Sequence, residues 1–252
     1  MFSGERHIPP WASPAPAGPL AALDHTRPKR ALMSEQSLLH RCPIVPVVVI
    51  HDVAHAVPLG EALLAGGITV AEITLRTDAG IHAIEALAKE LPELHVGAGS
   101  VLIADHVDQV VDAGAQFVVS PGLSVDVLTR SRNRGVPALP GVATSSELMT
   151  AVGLGLTEVK FFPAGLLGGP AAIRALTAPF TTISFMPSGG VNAVNMADYL
   201  TIPAVPAVSG SWMVDPALLV QGRWEEVTAR SAAAITIANG SRPVATGQAT
   251  SS

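Results

Sequence analysis

Ile44-Val45-Pro46-Val47-Val48-Val49-Ile50 is an apolar run in which every residue except the proline is β-branched. A strand with one face in water alternates apolar and polar residues, whereas a strand covered on both faces, as in a parallel sheet flanked by helices, is apolar throughout. This run is of the second kind. Beyond it, Val53 to Ala65 has the spacing of an amphipathic helix that stops at Gly66-Gly67, and Thr69 to Arg76 is again strand-like. Strand, helix and strand in so short a span predict a parallel crossover unit.

The alternation continues outward from this unit. Strands are predicted at Leu94–Ala98, Phe117–Ser120, Val136–Leu139, Thr157–Phe162, Thr182–Met186 and Val205–Val208. Helices are predicted at Ala79–Leu91, Ala104–Ala113, Ser124–Asn133, from Ser145 behind its N-cap Thr144, near Pro170–Leu176, at Ala193–Leu200, and from Asp215 to about Ala238. The eight strands start at 44, 69, 94, 117, 136, 157, 182 and 205, which is 19 to 25 residues apart. Eight such units predict an α/β fold of the (β/α)8 TIM-barrel type in one domain. An open doubly wound sheet is the competitor, but no GxGxxG follows the first strand. Ser34 to Arg41 predicts a short helix before the barrel. Residues 1–33, rich in proline and alanine with no apolar signal core, are expected to be a disordered leader, 34–239 the barrel domain and 240–252 a flexible tail.

Composition narrows the partners. The chain has 252 residues, 48% of them hydrophobic, and 15 basic against 20 acidic side chains give a net charge of -5 with no nucleic-acid-binding face. No apolar run reaches the ~18–20 residues of a membrane span. Cys42 is the single cysteine, so no intramolecular disulfide forms, which fits a reducing cytoplasm. One cysteine and histidines without HExxH spacing give no reason to expect a metal.

Within this frame one residue is anomalous. Lys29 lies in the leader and Lys89 on the polar side of a helix, but Lys160 stands inside Glu158-Val-Lys-Phe-Phe-Pro163, a run that otherwise reads as a buried strand. A buried ammonium is costly unless it is paired or gives up its proton, and a neutral amine is a nucleophile. Lys160 is therefore either a Schiff-base lysine or a strand-end lysine whose head reaches water. Strand parity sets Glu72, Thr74 and Arg76 on one side of the second strand and Ile73 and Leu75 on the other. With the apolar pair under the helices, the polar three point into the barrel, and the same parity turns Lys160 inward. A carboxylate, a guanidinium and an amine inside a barrel read as a catalytic cluster or as a buried structural ion pair. Ser188-Gly189-Gly190 after the seventh strand and Gly210-Ser211 after the eighth are either ordinary turns or the anion site that barrels often build there.

These residues also resemble a known family. Glu72-Ile-Thr-Leu-Arg76-Thr77, Gly97-Ala-Gly-Ser-Val101, Ser120-Pro-Gly122, Pro140-Gly141, Lys160-Phe-Phe-Pro163, Ser188-Gly-Gly190 and Gly210-Ser-Trp212 are similar in register to the 2-keto-3-deoxy-6-phosphogluconate (KDPG) aldolase and 4-hydroxy-2-oxoglutarate (KHG) aldolase family, from about Cys42 to Val214. The resemblance implies a class I aldolase on a (β/α)8 barrel that uses no metal or cofactor and acts on a keto acid phosphate, usually as a homotrimer. It implies that Lys160 is the Schiff-base lysine, Glu72 the acid/base and Arg76 the holder of the pyruvate carboxylate. Ser100 falls at the same carboxylate, Pro121 and Phe162 line the pocket, and Ser188, Gly189, Gly190, Gly210 and Ser211 hold phosphate. Thr74, between Glu72 and Arg76 on the same face, is expected to order the water through which Glu72 acts.

The sequence departs from the family pattern at the substrate's ends. Serine replaces threonine at Ser100 and Ser188, Ser209 stands where glycine is usual, and Gly165-Leu-Leu167 replaces a more polar segment. KHG and the galactonate epimer of KDPG therefore stay open as substrates beside KDPG. The rival of another class is a sugar-phosphate-binding barrel without catalysis, which would need the anion turns but not Lys160, Glu72 and Arg76 together.

Overall fold

The β-branched run forms β1 (Ile44–Val48), and its neighbours are β2 (Val70–Thr74) on one side and β9 (Val208–Gly210) on the other, all parallel. The structure is a computed structural model that describes residues 37–241. The expected leader, and the expected tail beyond Ser241, lie outside the described residues. The remaining strands are β3 (His95–Gly99), β4 (Val118–Val119), β5 (Ala138–Leu139), β6 (Gly141–Val142), β7 (Glu158–Phe161) and β8 (Ser184–Pro187). They pair in the orders β5-β4-β3-β2-β1-β9 and β6-β7-β8, every pair parallel. Pro140, which has no N–H to offer a ladder, separates β5 from β6. A parallel bridge from Ser188 to Ser209 links the residue after β8 to β9. The result is an α/β fold of curled parallel strands with helices between them.

The helices that position these strands are α1 (Leu38–Arg41), α2 (Ala56–Ala65), α3 (Ala79–Glu90), α4 (Ala104–Asp112), α5 (Val125–Asn133), α6 (Ser145–Gly153), α7 (Gly169–Thr177), α8 (Met196–Leu200), α9 (Pro216–Val220) and α10 (Trp224–Ser241). Their faces follow from spacing. On α3 the buried residues are Gly80, Ala83, Ile84 and Leu87, one stripe at the 3–4 residue period. Each large apolar side chain so buried contributes about 1.5–3 kcal/mol. Thr144 caps α6 in a capping box with Glu147, and Ser124 caps α5. Among the described residues no helix is long and apolar enough to cross a membrane.

The boundaries differ from the periodic reading where side chains compete with the backbone. The helix expected from Ala193 begins only at Met196, because Asn192 Oδ1 accepts from the Val194 and Asn195 N–H groups and Asn195 Oδ1 accepts from the Asn192 N–H. The strand expected to reach Arg76 ends at Thr74. Leu75 N–H still bonds Gly99 O at 2.9 Å, but the Thr77 hydroxyl then donates to Ile50 O and turns the chain away. Helix α10 continues through Gly240 and Ser241, past the point where the tail was expected to begin.

The N-terminal ends of the strands are sealed. Leu38 and Leu39 of α1 are buried, and the Ser37 hydroxyl donates to Glu158 at the start of β7. Inside, His95 stacks on Phe117 at 5.4 Å, and Gly97 leaves room for that ring, since a methyl there would stand 2.5 Å from it. Burial first, then the Arg41 charge, push the His95 imidazole down to about 4, against a hydrogen bond with Gln116 that favours the protonated ring. The open end for chemistry is therefore the opposite one.

Candidate active site

Glu72, third residue of β2, and Lys160, third of β7, meet across the interior. Lys160 Nζ lies 3.1 Å from Glu72 Oε1 and 3.3 Å from Oε2. Their side chains are 6% and 1% exposed, so neither charge is solvated by bulk water. The expectation that Lys160 turns inward is met, and the alternative of a head reaching water is not. Burial without a partner would cost each group several kcal/mol, so each is held charged, or exchanges a proton, through the other. The Phe162 ring centroid lies 5.6 Å from the same Nζ and caps the contact with an apolar face.

Beside this pair a neighbouring loop packs closely on the strand. Gly141 is the Cα partner of Lys160, and a methyl at Gly141 would stand 2.1 Å from Pro121 O. The loop after β4 thus lies against β6 and carries the exposed Pro121 to the side of Lys160's strand. Thr74 is fully buried, and its hydroxyl donates to Val48 O at 2.9 Å. Its proton is therefore engaged with β1.

Arg76 sits two residues beyond β2, exposed, with Nε donating to Ser100 Oγ at 3.1 Å. Its two Nη groups have no protein partner among the described residues. Ser100 itself has φ 59°, a left-handed backbone that is rare for a residue with a side chain and is concentrated at functional turns. No hydrogen bond or ion pair joins Arg76 to Glu72 or Lys160.

The third cluster is the pair of turns after β8 and β9. Gly189 and Gly190 take φ 85° and 82°, a conformation open to glycine and strained for other residues. Their carbonyls are occupied, Gly189 O by Gly165 N–H at 2.8 Å and Gly190 O by Asn195 Nδ2 at 2.9 Å. The N–H groups of Gly190 and the exposed Ser211 have no protein acceptor among the described residues. Beneath them the buried Ser188 and Ser209 hydroxyls bond each other at 3.4 Å, and Gly210 gives way to the Trp212 ring, 2.3 Å from where its Cβ would be. Ser209 and Gly141 are contributors that sequence reasoning did not place in the site. Both act through a neighbouring strand, and a single strand carries no signal of its partner.

Comparisons with known proteins place the chain in a family. The family profile "Aldolase: KDPG and KHG aldolase" matches residues 36–230. The KHG/KDPG aldolase of Escherichia coli K12 is 44% identical over 195 residues, covering 77% of this chain and 92% of that protein. Among solved structures, KDPG aldolase from Legionella pneumophila, with pyruvate captured at low pH as a covalent carbinolamine intermediate, superposes with a TM-score of 0.76 at 40% identity, covering 78% of this chain and 96% of that one. The KDPG aldolase of Zymomonas mobilis ZM4 with 3-phosphoglycerate gives 0.73 at 38% identity, over 79% and 93%. By the profile match and the identity across nearly the whole length of these proteins, the chain belongs to the KDPG and KHG aldolase family.

Proposed function

We propose that the chain is a class I aldolase that cleaves 2-keto-3-deoxy-6-phosphogluconate to pyruvate and glyceraldehyde 3-phosphate, with Lys160 as nucleophile and Glu72 as acid/base. The observation that carries this is the buried contact of Lys160 Nζ with both Glu72 oxygens at 3.1 and 3.3 Å. A proton passing from Nζ to the carboxylate frees the amine lone pair, which attacks the C2 ketone to give a carbinolamine. Glu72 then protonates the departing hydroxyl, water leaves, and an iminium ion remains. As a carboxylate again, Glu72 takes the C4 hydroxyl proton. The C3–C4 electrons flow into the iminium, releasing the aldehyde and leaving an enamine. Glu72 returns that proton to C3, and water hydrolyses the pyruvate iminium to regenerate Lys160.

The other clusters fit the substrate's two charged ends. Arg76 offers its unpartnered Nη fork, set by Ser100, to the carboxylate. Ser188, Gly189, Gly190, Gly210 and Ser211 form the phosphate site, where unpartnered N–H groups and hydroxyls meet an anion. Pro121 and Phe162 wall the pocket, and Thr74 forms its floor. The Legionella relative's covalent pyruvate and the Zymomonas relative's bound 3-phosphoglycerate support the same division. KHG is a second substrate on this reading, favoured by the dual name of the Escherichia coli relative.

The same reading takes residues 34–239 as one (β/α)8 barrel, in which β5 and β6 count as one strand interrupted at Pro140 and the Ser188–Ser209 bridge closes the ring. It also takes the protein as a cytoplasmic homotrimer. Borohydride reduction in the presence of pyruvate tests the chemistry: a stable adduct should form on Lys160 and be absent from Lys160→Ala. No adduct on the wild-type protein ends the Schiff-base proposal.

A further inference from the structure

The geometry points to Gly99 as a positioning residue for the acid/base: we infer that its missing side chain is the space in which the Glu72 carboxylate reaches Lys160. This rests on the role given to Glu72 above. A methyl on Gly99 would stand 2.2 Å from Glu72 Oε1, 2.6 Å from Cγ and 2.8 Å from Cδ. Three atoms of one side chain fill the place that any Cβ would need.

The backbone does not ask for glycine here. Gly99 is the last residue of β3, paired with Thr74, and it is absent from the residues with positive φ. An alanine would fit the strand's conformation. What excludes it is the carboxylate next door. Glu72 is 1% exposed, so it has no solvent to swing into. The contact with Cγ also lies too near the chain for a rotation of the carboxylate alone to relieve it. To admit a methyl, Glu72 must adopt another rotamer, and that takes its oxygens off Nζ at 3.1 and 3.3 Å.

Gly97, two residues earlier on the same strand, is the contrast. Although Gly97 is the Cα partner of Glu72, a methyl there would collide with the Phe117 ring, at 2.5 Å, and not with the carboxylate. Gly97 is a packing glycine and Gly99 a functional one. The end of β3 thus serves the site twice, since Ser100, which holds Arg76, is the next residue.

The experiment uses the full chain. Wild type, Gly99→Ala and Gly97→Ala are trapped with pyruvate and borohydride, and deuterium exchange into the pyruvate methyl in D2O is followed by NMR. Exchange is read as a rate, set by Glu72 moving a proton at C3, whereas trapping is read as an end-point yield, which slower iminium formation does not lower once the iminium has equilibrated. Gly99→Ala should keep its yield of trapped adduct at saturating pyruvate and lose exchange by about 100-fold or more, the span a placed acid/base supplies. Gly97→Ala should lose thermal stability without this split. Exchange in Gly99→Ala within a fewfold of wild type, with wild type trapped normally, overturns the inference. Wild type that is not trapped overturns the Schiff-base reading instead.

Should Gly99→Ala fail to fold, Glu72→Ala/Gly99→Ala decides the matter by its melting temperature. With Cγ and the carboxylate gone, the methyl has room, and the double variant should melt with Glu72→Ala. If the double variant also fails while Glu72→Ala folds, the obstacle is the strand and not Glu72, and the inference falls.

Discussion

Replacing Lys160 by methionine keeps most of the side chain's volume and removes its charge, leaving the Glu72 carboxylate 1% exposed with no cation beside it. At 3.1 Å and an effective dielectric of about 20, the lost attraction is about 5 kcal/mol gross. Part of that is offset by the ammonium no longer needing to be desolvated. Removal of one partner from a buried pair typically costs about 3–5 kcal/mol, which for a domain of this size lowers Tm by about 6–20 °C. Replacing both members, as Lys160→Met/Glu72→Leu, should recover most of the loss, because an apolar pair of similar volume is close to neutral. The assay is thermal and urea unfolding of wild type, both single variants and the double variant at pH 7, with the coupling taken from the cycle. If Lys160→Met loses less than about 1 kcal/mol, the size expected of a solvated pair, water reaches the contact and the reasoning from a dry site fails. The same dryness serves catalysis, since a proton passed between unsolvated partners needs no solvent to rearrange.

Three other outcomes follow from the geometry. Arg76→Lys keeps the charge and loses the fork, so KM for pyruvate-containing substrates should rise about 10–100-fold with a smaller change in kcat; equal KM values would remove Arg76 from the carboxylate. Ser211→Ala should raise KM for KDPG about 10-fold or more and leave KHG cleavage unchanged, measured by coupled assay on both compounds, and a parallel loss on both would place the phosphate elsewhere. His95 is held neutral in the fold, at about 4 against 6.5 in the unfolded chain, so the unfolded state takes up its proton first as pH falls. Stability from this group is whole above 6.5 and is lost as pH falls toward 4; urea midpoints at pH 7 and 4.5 should converge in His95→Phe relative to wild type.

Much of the site was legible because its signals are local. A buried-strand pattern containing a lysine needs only the residues around Lys160, and the parity of Glu72 with Thr74 needs only β2. The Gly-Gly turn at 189 and 190 is likewise its own signal, with both residues at positive φ. Parity failed at Arg76, which the strand rule turned inward and which instead lies in a turn. That strand end is set by the Thr77 hydroxyl on Ile50 O, a contact with the segment just beyond β1. The single strand expected over Val136–Leu139 became β5 and β6 around Pro140 for a similar reason, since pairing on either side of a residue without an N–H depends on the neighbours.

The amino-acid sequence by itself determined the succession of buried strands and amphipathic helices, and the inward direction of Glu72 and Lys160 on their two strands. Only the tertiary structure decided that these two, 88 residues apart in sequence, touch. It also decided that Gly99 leaves the space the Glu72 carboxylate fills and Gly141 the space for the Pro121 carbonyl. The reason is physical: a period along one strand fixes which way a side chain points, while the depth at which it meets another is set by register between strands, which no single strand encodes.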